Sequence, residues 1–126
     1  MKRTFISEQA KEFRTKYGIK NSADRQNRTR QHTLMVEEFK EFLEADGMLF
    51  RHGKNVQSEC LKELADLVYV CYQYAENMGW DLDTAMDRVH QSNMSKLGED
   101  GRPILRDDGK VLKGPNYQPP TLTDLI

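Results

Sequence analysis

The chain has 126 residues, a net charge of −1 and 31% charged side chains, a length that suits one domain with its own core but is small for enclosing a substrate pocket unaided. The near-neutral balance offers no overall field for nucleic acid or an acidic membrane, and no apolar run approaches the ~20 residues that span a bilayer. Met1-Lys2-Arg3-Thr4-Phe5-Ile6-Ser7 is too polar beyond its first residues for a secretory signal.

In chain order, Phe5, Ile6, Ala10, Phe13 and Tyr17 recur at near-helical spacing, with Ser7 as the expected N-cap region and Gly18 as the stop. Residues 19–27 are polar and aperiodic and read as a connection. Arg25, Arg28 and Arg30 make its end locally basic. Without interleaved aromatics they read as a solvated entry to the next helix, with a phosphate contact across a subunit interface left open. A long helix is expected from Asn27 or Arg28 to Phe50, ended by Arg51-His52-Gly53. At roughly 100° per residue, Leu34, Met35, Phe39, Phe42, Ala45 and Leu49 form its apolar arc. Glu38 points into that arc and Glu41 sits on its edge, whereas Glu37 and Glu44 point away. A second helix, from Asn55 or Ser58 to Met78, repeats the pattern. Cys60, Leu64, Leu67, Val70, Cys71, Tyr74 and Met78 make its arc, Glu63 lies inside it and Asp66 on its edge. The two cysteines are about 16 Å apart by helical rise, too far to pair, and free thiols suit a reducing, cytoplasmic setting.

Asn77-Met78-Gly79 reads as a C-cap with a left-handed glycine. Asp81 then caps a shorter helix that ends near Lys96, with Leu82, Ala85, Met86 and Val89 facing inward. From Leu97 the character changes. Glu99-Asp100-Gly101 and Asp107-Asp108-Gly109 are turn signals flanking Pro103–Arg106 and Lys110–Lys113, which predicts a small β-hairpin. Gly114-Pro115 and Pro119-Pro120 exclude further regular helix, so an extended tail follows. The expected architecture is all-α: one domain over 1–126, with a bundle of about four helices over 1–97 and a hairpin and tail over 98–126.

The inward acids carry the functional argument. An ionised carboxylate without a partner in a packed interior costs several kcal/mol or more, or takes up a proton. Two inward pairs in the same register, Glu38 with Glu41 and Glu63 with Asp66, repel each other if their helices pack together. A hard divalent cation removes the difficulty, because Mg²⁺ or Mn²⁺ takes oxygen ligands and carboxylates three apart share one side of a helix. His32, His52 and His90 follow no ligand spacing. The absence of E-x-x-H argues against a di-iron bundle of the ferritin kind.

The acids Glu37-Glu38-x-x-Glu41 and Glu63-x-x-Asp66, with Asn93-Met94-Ser95-Lys96 and Lys113-Gly114-Pro115-Asn116-Tyr117, resemble the MazG-like all-α nucleoside triphosphate pyrophosphohydrolases, in particular short, phage-type members. The resemblance runs from about Thr33 onward. It implies metal ligation by Glu38, Glu41, Glu63 and Asp66. It also implies in-line attack of an activated water on the α-phosphate, giving monophosphate and pyrophosphate, with the carboxylate left free for base catalysis being Glu37 or Glu41. Lys96 would neutralise the leaving pyrophosphate. Asn93, Lys96, Lys113 and Tyr117 would contact the nucleotide. On spacing alone Lys96 is a lysine opposing a helix C-terminal dipole. The family forms dimers or tetramers, which the wide apolar arcs here suit, and the guanine-preferring MazZ type within it makes (d)GTP the expected substrate.

Phe13, Tyr17, Trp80 and Tyr117 could each stack on a base, but aromatics at helical spacing are more often core. Other readings stay open. One is a phosphoribosyl-ATP or dUTP hydrolase sharing the acid signature. Another is a non-catalytic binding module with a structural ion. The third is a structural oligomer whose acids pair with Arg25, Arg28, Arg30 or Lys62.

Overall fold

Four helices make up the regular structure that the computed structural model shows: α1 (Ile6–Lys16), α2 (Arg25–His52), α3 (Gln57–Met78) and α4 (Leu82–Met94), followed by a 3-10 turn at Thr123–Leu125. The described residues are 5–52 and 56–126. The expected stop at Gly53 and the alternative start at Asn55 lie outside them, as do residues 1–4. The chain divides into two compact units, Met1–Trp80 and Asp81–Ile126. The unit that carries the tail takes in α4 as well and begins at Asp81.

In the first unit α2 packs along α3, and α1 packs on α3. The helix ends follow local chemistry. Helix α1 begins a residue before the expected cap, with Phe5 at N-cap and no side-chain bond there. It ends as Gly18 turns to φ 65° and its neighbours Tyr17 and Ile19 bond back to Phe13 and Arg14. Helix α2 starts earlier than expected because Asp24 caps it: its Oδ1 accepts from the Asn27 amide at 2.7 Å and its Oδ2 from the Ser22 hydroxyl at 2.7 Å. Gly79 closes α3 in the left-handed conformation, φ 73° and ψ 24°, as expected of that position.

The faces differ from expectation. Leu34, Phe39 and, on α3, Leu64 are exposed rather than inward. The line of α2 that packs is Gln31, Met35, Glu38, Phe42, Ala45 and Leu49. Val36, Phe39 and Leu43, each 49% exposed, form a separate outward stripe. An amphipathic arc wider than one neighbour can cover leaves its outer part bare, and that is the case here. Among the described residues the buried apolar side chains are Ala10, Cys60 and Ala75, and no large side chain is fully buried. Much of the interior of this unit is polar instead, with Arg14, Gln31, Gln73 and Asn77 all buried.

The second unit is α4 with the tail laid along it. Asp81 caps α4 through Thr84, accepting from its amide at 3.0 Å and its hydroxyl at 2.7 Å. Leu82, Ala85 and Val89 are partly covered, but Met86, expected inward, is exposed. The tail is fixed at three points: Gln118 to Ser95, Thr121 and Asp124 to Arg88, and the Leu125 carbonyl to the Asp81 amide. The predicted hairpin is reduced to a single antiparallel bridge between Leu105 and Val111. The Arg106 amide donates to the Lys110 carbonyl, and the Leu112 amide to the Ile104 carbonyl, but no strand forms among the described residues. Pro103 has no N–H to extend the ladder. Beyond it, Gly98 bonds to Arg102 and Gly114 to Lys96, so the chain leaves the pairing direction on both sides.

Candidate metal and nucleotide site

The register of the two long helices brings their acids together. Glu38, one turn before Phe42 on the packed line of α2, meets Glu63, which follows Cys60 by one turn on α3, and Glu41 joins from the edge of α2. Carboxylate oxygens of Glu38, Glu41 and Glu63 all lie within 4.8 Å of one another. Oε2 of Glu38 and Oε2 of Glu63 are buried without a hydrogen-bond partner. Burial, then the charge of Glu41 and a hydrogen bond shared with it, then Asp66 and Glu63, push the Glu38 carboxyl above its ordinary value of 4.5. Three converging acids with two orphaned oxygens fit a hard divalent cation. Oxygens on one Mg²⁺ at about 2.1 Å stand no more than ~4.2 Å apart, within a small side-chain adjustment of the distances present.

Asp66 is turned to another partner. Lys62 bonds to it at 2.7 Å and stands 3.5 Å from Glu63, so the lysine among the predicted pairing residues does reach these acids, at the exposed side of the cluster. Glu37 is exposed on α2, pointing away as its angle predicts. Glu41 and Glu63 also border an open groove of about 610 Å³ that Glu44 and Glu59 share.

The remaining predicted contacts belong to the second unit. Asn93 is exposed at the end of α4 and Lys96 is half-buried just beyond it. The Lys96 carbonyl accepts from the Gly114 amide at 2.8 Å, which ties the Lys113–Tyr117 segment to the end of the helix. A Cβ on Gly114 would collide with the carbonyl oxygens of Lys96 and Leu97. Lys113 lies over the Tyr117 ring, 4.8 Å from its centre. Of the other aromatics, Phe13 stacks with Tyr17 and Tyr69, and Trp80 with Tyr74, which makes Phe13 and Trp80 packing residues.

Sequence reasoning missed one element altogether. Arg14, 3% exposed, spends all five N–H donors on neutral acceptors: Nε on Asn21 (2.6 Å), Nη1 on Gln31 (3.3 Å) and Gln73 (3.2 Å), Nη2 on Asn77 (3.0 Å) and the Lys20 carbonyl (3.5 Å). Burial lowers its pKa, and the charge of Glu76 works in the opposite direction. The signal was present, because Gln73 and Asn77 sit four apart on the inner side of α3, where apolar residues are the norm.

An all-α bundle whose two long helices carry an E-x-x-E and an E-x-x-D element, with Glu38, Glu41 and Glu63 converging, offers a carboxylate cluster that suits a divalent cation. Residues 1–93 match the sequence profile of phosphoribosyl-ATP pyrophosphohydrolase, and the chain belongs to that family, within the MazG-like all-α nucleoside triphosphate pyrophosphohydrolase superfamily. The match takes in every acid of the cluster and ends at Asn93; Lys96, Lys113 and Tyr117 lie beyond it. No curated protein matches the chain. Enzymes of this superfamily are typically dependent on a divalent metal. No helix among the described residues is long and apolar enough to cross a membrane.

Proposed function

We propose that this chain hydrolyses (deoxy)nucleoside triphosphates at the α-phosphate, releasing the monophosphate and pyrophosphate, with (d)GTP as the foremost substrate. The observation that carries this reading is the meeting of Glu38, Glu41 and Glu63 across α2 and α3 with two buried, unpartnered oxygens. Glu38, Glu41 and Glu63 hold Mg²⁺ or Mn²⁺, and Asp66 joins them once Lys62 yields it. The ion, when bound, polarises phosphate oxygens and acidifies water. Glu41, the more exposed of the converging acids, or its neighbour Glu37 accepts the proton of the attacking water. Lys96 offsets the charge that grows on the leaving pyrophosphate. Asn93, Lys113 and Tyr117 contact the nucleotide, a role supported by the sequence resemblance and by the tie between Lys96 and the Lys113–Tyr117 segment.

The active form is a homodimer or homotetramer. Its support is the bare stripe of Val36, Phe39 and Leu43 and the thin apolar core of the single chain. Cys60 and Cys71, both unpaired, suit work in the cytoplasm.

The test is pyrophosphate release from a panel of ribo- and deoxyribonucleoside triphosphates and phosphoribosyl-ATP, with Mg²⁺, Mn²⁺ or chelator, beside Glu38→Gln and Glu63→Gln. Monophosphate product that disappears on chelation and in both variants is the expected result, with guanine nucleotides ahead. Turnover of phosphoribosyl-ATP alone would move the substrate to the one the family is named for. Stabilisation by metal with no turnover of any compound would leave only a structural ion.

A further inference from the structure

A second cavity in the first unit, about 710 Å³, lies at the start of α2 and is lined by Asn21, Ser22, Asn27, Arg30, Gln31 and Leu34, among others. Its size is that of a small-molecule site. Gln31 precedes Glu38 by seven residues, nearly two full turns, so it sits on the same side of α2 about 10 Å along the axis. That is about the reach from the α-phosphate of a nucleotide to its base.

The hydrogen-bonding sense of this groove is fixed from behind by Arg14. A guanidinium has donors only, so every amide that meets it must present oxygen. The oxygens of Asn21 and Gln31 are therefore turned to Arg14; their N–H₂ ends have no partner among the described residues, and both residues line the groove. Asn27 is held the other way round. Its N–H₂ donates to the Asn77 oxygen at 2.6 Å and to the Ser22 carbonyl at 3.0 Å, which leaves its oxygen as an acceptor. Of the four amide side chains that line the groove, Gln26 has no fixed sense, while Asn21, Gln31 and Asn27 present two donors and one acceptor that cannot flip while Arg14 and Asn77 stay in place.

We propose that this groove receives the base of the nucleotide and selects bases with a lactam edge, a carbonyl beside a ring N–H, with Arg14 as the positioning residue that sets the sense of its amides. Guanine, hypoxanthine, uracil and thymine carry that edge. Adenine, with an amino group and a bare ring nitrogen in the same place, mismatches both a donor and the acceptor. The inference rests on the nucleotide reading of the neighbouring acids, but its chemistry is separate from theirs.

The decisive pair is dIMP and dAMP, which differ only at this edge. Titration of the ¹⁵N-labelled protein with each should give about tenfold tighter binding of dIMP, with the side-chain N–H₂ resonances of Asn21 and Gln31 shifting. Gln31→Glu and Asn21→Asp each keep an oxygen for Arg14, now in an ion pair, so the melting temperature should hold. Each replaces a groove donor by an acceptor, and the dIMP-to-dAMP ratio should collapse towards one. If one variant fails to fold, the other carries the test. Equal affinity for the two monophosphates in the parent protein overturns the inference, as does an unchanged ratio in a folded variant. If dITP is hydrolysed while dIMP and dAMP bind alike, the enzyme reading stands and this one falls. If no triphosphate is hydrolysed but dIMP is still preferred, the base groove stands without the enzyme.

Discussion

Glu38 carries the largest electrostatic load among the described acids, because it is half-buried and has Glu41, Glu63 and Asp66 around it. Its folded pKa is raised above 4.5, so the metal-free folded protein binds more protons than the unfolded chain. The contribution of Glu38 to stability is then fully present below about 4.5 and lost as pH rises through the folded value. In chelator, the melting temperature should fall with rising pH across that window, and Glu38→Gln should flatten the fall. A slope identical in parent and variant would acquit Glu38. Metal binding needs the ionised form, so stabilisation by Mg²⁺ or Mn²⁺ should grow with pH over the same window. The same substitution should lower pyrophosphate release by about a hundredfold or more, a stable protein that has lost its turnover. Under the proposed metal site Lys62 competes with the ion, since it occupies Asp66 at 2.7 Å. Lys62→Met should tighten metal binding a few-fold in calorimetry, whereas weaker binding would mean that the lysine orients the acids instead of competing for them.

The elements are set largely by their ends. Gly79 stands at φ 73° with open space around its Cα, so Gly79→Ala meets no clash and isolates the cost of a left-handed alanine, about 1 kcal/mol. Urea denaturation should show that loss in the midpoint with the slope unchanged. Capping by Asp24 and Asp81 is as local as that glycine, but only Asp81 reads as a cap in the sequence; Asp24 lies in a stretch that reads as a polar connection. The reduced hairpin was not legible either. Turn residues at 107–109 predict a reversal, and a reversal occurs, but the length of ladder that follows depends on what holds the two ends, here Arg102 and Lys96.

For the whole molecule, what the single chain leaves uncovered is as informative as what it buries. Val36, Phe39 and Leu43 recur three and four apart on an exposed side of α2, the spacing of a helix seam. Under the proposed assembly, Phe39→Glu or Leu43→Glu should shift sedimentation to a smaller species and lower the melting temperature with it. A variant that keeps the parent's mass would leave that stripe without a partner. Metal at a hundred times its dissociation constant should stabilise the folded protein by about 2.7 kcal/mol, readable in a melting series with and without chelator.

The sequence by itself determined the all-α class, the caps at Gly79 and Asp81, and the angular place of each acid, because a helix fixes the direction of every side chain about its own axis. It could not determine which part of a wide apolar arc meets a neighbour. Leu34 and Phe39 were as eligible for the interior as Met35 and Phe42, and only the packing of α3 against α2 separated them. Three decisions were likewise tertiary: that Glu38, Glu41 and Glu63 come within 4.8 Å, that Lys62 takes Asp66, and that Arg14 gathers side chains as far along the chain as Asn77. Each depends on distances between helices, and periodicity along one helix carries no information about the position of another.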